Sequence, residues 1–448
     1  MANTDTVRFI GKTLRIPRNV TVVPINAPPT STVSQTRPQS PADEQITNDS
    51  ERTLPQTSLA IVEQARPTVK RSVRQLEVRQ VGSQRDLDAF VRFPWQIYAG
   101  DRNWSPPLLL DVKGFLNPAK HPFYKHGTAA QFLAYEQGRA VGRVLVSDDP
   151  NYNREHGTNV GCFGMFECID DTEVAGALLD AAAEWLRIHG RTEILGPIDY
   201  STNYPCGLLV DGFDTPQRVM MNHNPPYYAR LLESWRLTKA KDLYAWWFAD
   251  PHHMLEKWSR LADRFAARGG VTVRPISRAN FAAEVENCKQ IYNQAWEQNW
   301  GFVKMTDVEF EHMALELKKY ALTDWVLLAE VDGEPAGVCI TIPDFNEATG
   351  PLNGRLTRCG LPIGLVRLLY NMRHIKTARM MVLGVMEQFR RRGVVEMFVL
   401  KSLATGIAHG YTAAELSWTL EDNELINRTI EKVGGQRYKT YRIYEAAI

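Results

Sequence analysis

From Met380 to Met386 the chain reads Met-Met-Val-Leu-Gly-Val-Met without a polar interruption, and at Glu387 the pattern changes. Gln388 and Phe389 follow, then three consecutive arginines, Arg390, Arg391 and Arg392, and then Gly393. The apolar run predicts a buried strand over 381–386, and the helical recurrence of apolar positions after Gly393 predicts a helix over 394–409. A strand that feeds a glycine turn and then a helix presents unpaired backbone N–H groups at the positive end of the helix dipole, which is an anion site. The arginines add cationic side chains, and Gly393 lets the backbone approach a phosphate closely. Taken alone, the basic tripeptide fits a solvated turn equally well.

The same patterning predicts a strand over 415–420, a turn at Glu421, Asp422 and Asn423, a helix that stops at Gly434 and Gly435, and a tyrosine-rich strand over 438–444. Upstream, alternation predicts a strand over 76–81, a helix over 84–98, hairpin strands over 131–135 and 140–146, and a strand over 162–169. An amphipathic helix over 171–189 carries Val174, Leu178, Ala181, Ala182 and Trp185 on one face, with Asp170 or Asp171 as cap and Gly190 as stop. A strand over 192–196 and a helix over 225–234 complete this set. Helices over 280–298 and 307–320, and a hairpin of 325–331 with 336–342, open the second set. The repeated order predicts tandem copies of one fold, the first domain at 76–249 and the second at 271–448, joined by a helical linker at 250–270. Residues 1–75, rich in Pro, Ser and Thr, bury too little apolar surface to repay ordering, so a disordered tail is expected there, with a weak strand over 20–23.

In the second set, the order strand, Arg390-to-Val395 loop, helix, strand, Asn423, helix, Gly434 resembles the acyl-CoA-binding half of the GNAT acyltransferase superfamily. Arg390 takes the Gln/Arg position of the family's loop motif and Gly393 its first glycine, while Val395 stands where Gly or Ala is usual. The resemblance implies an α/β fold of two tandem GNAT domains with mixed, mostly antiparallel central sheets. It also implies an acyl-CoA co-substrate held by Val385, Met386, Gln388, Arg390, Arg391, Arg392, Gly393, Val394, Val395 and Asn423. At the equivalent place the first set carries Asp170-Asp171-Thr172-Glu173. Carboxylates there repel a pyrophosphate, so acyl-CoA is expected in the second domain, with the first a degenerate copy that shapes the acceptor pocket or supports the pair. His121-Pro122-Phe123, Phe163-Gly164-Met165-Phe166-Glu167, Asn224-Pro225-Pro226-Tyr227-Tyr228 and Asn299-Trp300-Gly301-Phe302 further resemble a bacterial subfamily of tandem GNAT proteins. Its members associated with ceramide synthesis imply N-acylation of a sphingoid base by a long-chain acyl-CoA.

Amide formation needs a held thioester, a donor to its carbonyl oxygen, a base for the ammonium and a proton for the thiolate. The resemblance implies transfer without a covalent enzyme intermediate, with a backbone N–H near Val385 or Met386 as the carbonyl donor. Glu387 is the candidate base; its alternative is a surface partner for the adjacent arginines. Ile430 occupies the place of the family's tyrosine acid, so Tyr441 is the substitute candidate, although strand tyrosines such as Tyr438, Tyr441 and Tyr444 are usually packing. Asn423 also suits a helix cap. Trp300, Asp344, Asn346 and Glu167 are candidates for the acceptor site. Turn chemistry accounts for Asp344 and Asn346 equally well, and Glu167, inside an apolar strand, requires a partner.

Fifty-two basic and 51 acidic residues give a net charge of +1, which excludes recruitment of nucleic acid by a global field. Six cysteines without a CxxC pair, and histidines without ligand spacing, predict neither disulfides nor a metal in a reduced, cytoplasmic protein. No apolar run reaches the length of a membrane span. The stretch 361–376, LPIGLVRLLYNMRHIK, predicts a basic amphipathic helix. It suits either peripheral contact with an anionic inner-membrane surface or a core-facing position with a solvated basic side. The expected activity is acyl-CoA-dependent N-acyl transfer to a primary amine. A wide apolar tunnel beside Val385 would favour long acyl chains. A closed one would favour small-molecule or protein N-acetylation from acetyl-CoA. The non-enzymatic alternative is a scaffold of two decayed copies.

Overall fold

The computed structural model describes residues 75–448 except 257, 258, 260–269, 298, 319, 320 and 391. The predicted tail (apart from Gln75), most of the predicted linker and Arg391 therefore lie outside the described residues.

The strands are β1 (Leu76–Gln80), β2 (Thr128–Glu136), β3 (Arg139–Asp148), β4 (Val160–Cys168), β5 (Glu193–Gly196), β6 (Leu208–Asp211) and β7 (Thr238–Ala249), then β8 (Val271–Pro275), β9 (Val326–Val331), β10 (Glu334–Pro343), β11 (Thr377–Val385), β12 (Ala413–Leu420) and β13 (Gln436–Ala447). They form one sheet in the order β1-β2-β3-β4-β5-β13-β7-β12-β11-β10-β9-β8, with β6 paired to β13. Each half contributes an antiparallel meander and then a parallel pair, β4 with β5 and β11 with β12. A helix makes each parallel crossover, Thr172–Ile188 in the first half and Val394–Ala408 in the second.

The final strands are exchanged. β7, which ends the first half, pairs with β12 of the second half, and β13, which ends the chain, pairs with β5 of the first. β7 and β13 also pair with each other, from Gln436↔Trp247 to Glu445↔Thr238. Neither β6 nor β7 is anticipated by the sequence patterning above. The predicted helix over 84–98 is broken into Gln84–Arg92 and Pro94–Ile97, because Pro94 lacks an N–H and its ring clashes with the preceding turn.

The two crossover helices bury apolar faces on the sheet. Val174, Leu178, Leu179, Ala182 and Leu186 pack with β2–β4 in the first half. Val394, Met397, Phe398 and Leu400 pack with Val271, Leu327, Ala329 and Val385 in the second. Each such side chain, fully buried, stabilises by about 1.5–3 kcal/mol. The predicted basic amphipathic helix forms as Ile363–Asn371, but only Gly364 is buried, with Leu368 and Asn371 half-buried, so its apolar side is not core-facing. Among the described residues, no helix is long and apolar enough to cross a membrane.

Candidate active site

β11 and β12 pair over only three residue pairs, Thr377↔Ala413, Ala378↔Ala414 and Arg379↔Glu415, and then diverge. β11 follows β10 as far as Gly337↔Val385, whereas β12 turns toward β7. Met381 bulges from the β11 edge, since Thr341 faces Met380 and Ile340 faces Val382. A cavity of about 340 Å³ occupies the divergence. Main-chain groups on the β11 edge beyond Arg379 have no β12 partner and point toward it.

The cavity runs through the sheet. On one face the wall is Val395, Glu396, Val399, Leu403, Gly406 and Ile407 of the Val394 helix, together with Ile426 and Ile430 of the helix Glu424–Lys432. On the other it is Tyr292, Trp296, Trp300, Phe302 and Met313, with Thr202 to Pro205 from the first half. Val385 and Gly384 mark the two faces: Val385 packs with Val394 and Phe398, while a Cβ added at Gly384 would lie 2.2 Å from the Trp296 ring. Trp325 and Tyr411 line the inner end.

Gly393 is the N-cap of the Val394 helix at φ 93°, a left-handed conformation that favours glycine, and among the described residues no side chain caps that end. Its first-turn N–H groups lack intrahelical acceptors. The N-cap, Val394 and Val395 therefore form a cradle that suits the phosphates of a coenzyme A. The arginines are partly engaged. Arg390 donates from Nε to Val385 O (3.4 Å) and from Nη2 to Ala295 O (3.3 Å). Arg392 pairs with Asp332 at 3.1 Å on the surface. The Met386 N–H donates to Ala336 O at 2.9 Å, which leaves it no hydrogen for a thioester carbonyl. Glu387 and Gln388 are exposed in the turn Glu387–Phe389 and do not line the cavity.

Of the remaining sequence candidates, Val395, Asn423 and Trp300 meet at the cavity wall. Asn423 also caps its helix, its Oδ1 accepting from the Ile426 N–H at 3.3 Å. Asp344 and Asn346 are spent elsewhere. Asp344 accepts from Arg218 at 3.2 Å and from the Val219 N–H at 2.9 Å, while Asn346 donates to Gln217 O at 3.1 Å, so together they clamp a first-half loop. Glu167 finds its partners inside the first half, accepting from Tyr98 and Tyr228 at 2.8 Å each and facing Arg143 at 3.5 Å. Tyr441 is fully buried away from the cavity, its hydroxyl without a hydrogen-bond partner among the described residues.

Two carboxylates escape the sequence reading. Glu396, in the first turn of its helix, faces the cavity with Oε2 unpartnered among the described residues, and burial pushes its carboxyl up to about 7. Its only sequence signal is a charge inside an apolar run, and an acid in a first helical turn is ordinarily explained by the dipole. Glu415 is wholly buried, 3.1 Å from Arg379 Nε at the last strand pair; burial raises its pKa and Arg379 opposes that. Arg379 also donates to Ser417 Oγ at 3.1 Å and to Val219 O.

The first half has the same framework with different filling. β4 pairs with β5 from Val160↔Glu193 to Cys162↔Leu195, and β4 bulges at Met165. Past that point Ile198 N–H donates to Phe163 O at 2.6 Å, and Asp199 Oδ1 accepts from the Met165 N–H at 2.8 Å. A Cβ at Gly164 would lie 2.3 Å from Asp199 Oδ1, so the chain itself fills the divergence. The crossover helix is capped by Asp171, which accepts from the N–H groups of Glu173 (2.9 Å) and Val174 (3.2 Å).

No family model matches the chain. Protein YghO of Escherichia coli (strain K12) is 36% identical over 378 residues, which cover 83% of this chain and 95% of that protein. A bacterial ceramide synthase of Caulobacter vibrioides (strain NA1000 / CB15N) is 37% identical over 383 residues, 83% of this chain and 98% of that one. Among solved structures, a tandem GNAT protein from the clavulanic acid biosynthesis pathway, determined without AcCoA, superposes with a TM-score of 0.51 at 14% identity. It covers 83% of this chain and 98% of that one, a likeness of fold. The chain therefore belongs to the family of these two bacterial relatives, and its fold is that of a tandem GNAT protein.

Proposed function

We propose that the second half takes a long-chain acyl-CoA and transfers its acyl group to the primary amine of a sphingoid base, forming a ceramide-type amide at the cytoplasmic surface of the inner membrane. The observation that carries this reading is the apolar cavity, which adjoins a helix N-terminus capped only by Gly393. Its wall follows the Val394 helix from Val395 to Ile407, roughly 18 Å at 1.5 Å per residue. That is far longer than an acetyl group needs. The ceramide synthase relative of Caulobacter vibrioides supports the choice of acceptor.

Gly393, Val394 and Val395 would hold the phosphates through backbone N–H groups, with Arg390, Arg391 and Arg392 supplying charge. Bound acyl-CoA supplies the activated thioester. Glu396 is assigned to accept the ammonium proton: it is the cavity-facing carboxylate with an unpartnered oxygen, and a base that titrates near neutrality is suited to that task. Glu387 is the second candidate, at the strand end. Asn423 adds to the wall at the start of the Glu424–Lys432 helix, and Tyr441, buried away from the cavity, is not assigned the proton-donor role. The first half is a non-binding copy that lends Thr202 to Pro205 to the acceptor side.

Purified protein with sphinganine and either palmitoyl-CoA or acetyl-CoA tests this by thiol release and product mass. The expected result is an N-palmitoyl amide and little acetyl product. Turnover confined to acetyl-CoA with a different amine would contradict the lipid reading.

A further inference from the structure

We propose that the exposed apolar face of residues 361–370 is a docking surface for an anionic lipid bilayer. Leu361, Ile363, Leu365, Val366, Leu369 and Tyr370 are all large and exposed, with Val366 at 65% and Leu369 at 56%. The five from Ile363 to Tyr370 lie on one continuous side of the helix Ile363–Asn371, because positions three, four and seven apart are neighbours on a helix, and Leu361 immediately precedes it. The helix stands on the body of the protein through Gly364, where an added Cβ would lie 2.3 Å from Arg355 O, and through Leu368. An apolar face this concentrated on a single short helix marks an interaction site.

Charge selects the occupant. Between Glu347 and Glu387 the sequence has no Asp or Glu, whereas it has Arg355, Arg358, Arg367, Arg373 and Lys376, all exposed. An apolar strip set in uncompensated basic charge matches acyl chains beneath anionic headgroups. A second copy of the chain fits poorly, because a two-fold contact would bring the two arginine sets against each other.

The position serves the reaction. Leu368 and Met372 pack against the same buried cluster of Ile342, Phe345, Ala348 and Ile375 as Met381 and Tyr411 do, and both Met381 and Tyr411 line the cavity. A shared cluster of side chains therefore joins the docking helix to the cavity wall, which places the cavity close to the bilayer for a lipid amine or acyl chain. This purpose rests on the lipid-acceptor reading; the docking itself does not.

The test is vesicle flotation of the full chain with phosphatidylcholine alone and with phosphatidylcholine–phosphatidylglycerol mixtures, for wild type, V366E/L369E and R367E/R373E. All four side chains are exposed, and circular dichroism verifies the fold. Binding to the anionic vesicles only, weakened by salt and reduced roughly tenfold or more in both variants, is expected. Equal partition of wild type and V366E/L369E would overturn the proposal. So would a wild-type dimer, seen by sedimentation, that V366E/L369E dissociates without any vesicle binding. Flotation needs no turnover, so a failure to form amide from any lipid amine would sink the acceptor reading and leave the docking result standing.

Discussion

The two parallel strand pairs of this molecule share a framework and differ in what fills it. Around β4 and β5, Ile198 and Asp199 continue alongside the bulged strand, and Asp199 takes the Met165 N–H. Burial of Asp199 raises its carboxyl to about 6, even though that amide hydrogen bond pulls it down. Around β11 and β12 the strands part after Arg379 and Glu415, and the divergence is a cavity. The helix termini differ in the same sense: a carboxylate of the chain satisfies one, and a glycine with no side chain to offer caps the other. A duplicated fold can thus keep its scaffold in both copies while one copy satisfies its own binding groups internally. The exchange of β7 and β13 makes the filled copy a structural necessity, since each half's sheet is completed by the other.

The contrast breaks most completely if the second half is made to resemble the first. Gly393→Asp introduces a capping carboxylate at φ 93°, and coenzyme A binding and turnover should fall at least ~100-fold, measured by calorimetry and thiol release. Glu396→Gln should lower kcat/KM by roughly 100-fold at pH 8. Its pH profile sharpens the assignment: wild-type kcat/KM should rise through about pH 7 as Glu396 ionises, and the variant should lose that limb. Stability carries the opposite sign. Because the folded state holds this proton more tightly than the ordinary 4.5, the group's contribution is full below pH 4.5 and is lost as pH rises to about 7. Denaturant midpoints of wild type and variant across that window test this.

Smaller effects separate chain length from chemistry. Gly406→Phe would crowd the Trp325 ring, which lies 2.9 Å from an ideal Cβ, and should shift preference from palmitoyl to short acyl groups by tens of fold, read from competing substrates. Asp171→Ala, in the filled half, should cost about 1 kcal/mol of stability through the lost cap and leave kcat/KM unchanged.

The local elements were legible because their signals are local. The Asp171 cap, the hydrophobic run before Glu387 and the helix after Gly393 each sit in a short window whose periodicity or end chemistry decides its structure. Strand exchange was not legible, since β7 and β13 pair across roughly 200 residues and their alternation says nothing of the partner. The inner cavity was hidden for the same reason: Trp325, Gly406 and Tyr411 meet only through tertiary packing. Asp344 and Asn346 follow a hydrophobic strand, and Glu167 lies inside one. Their partners, Arg218 and the Val219 amide for Asp344 and the tyrosines for Glu167, come from distant segments, so burial with pairing looked like a site. Glu396 passed unnoticed because sequence shows a helix-start acid and cannot show which wall it faces.

The central claim is that one half binds acyl-CoA and the other does not. Isothermal titration of the full chain with coenzyme A, for wild type, G393D and D171A, addresses it directly. One site per chain, lost in G393D and unchanged in D171A, is the result predicted. Two sites per chain, or binding that survives G393D and is altered by D171A, would contradict it.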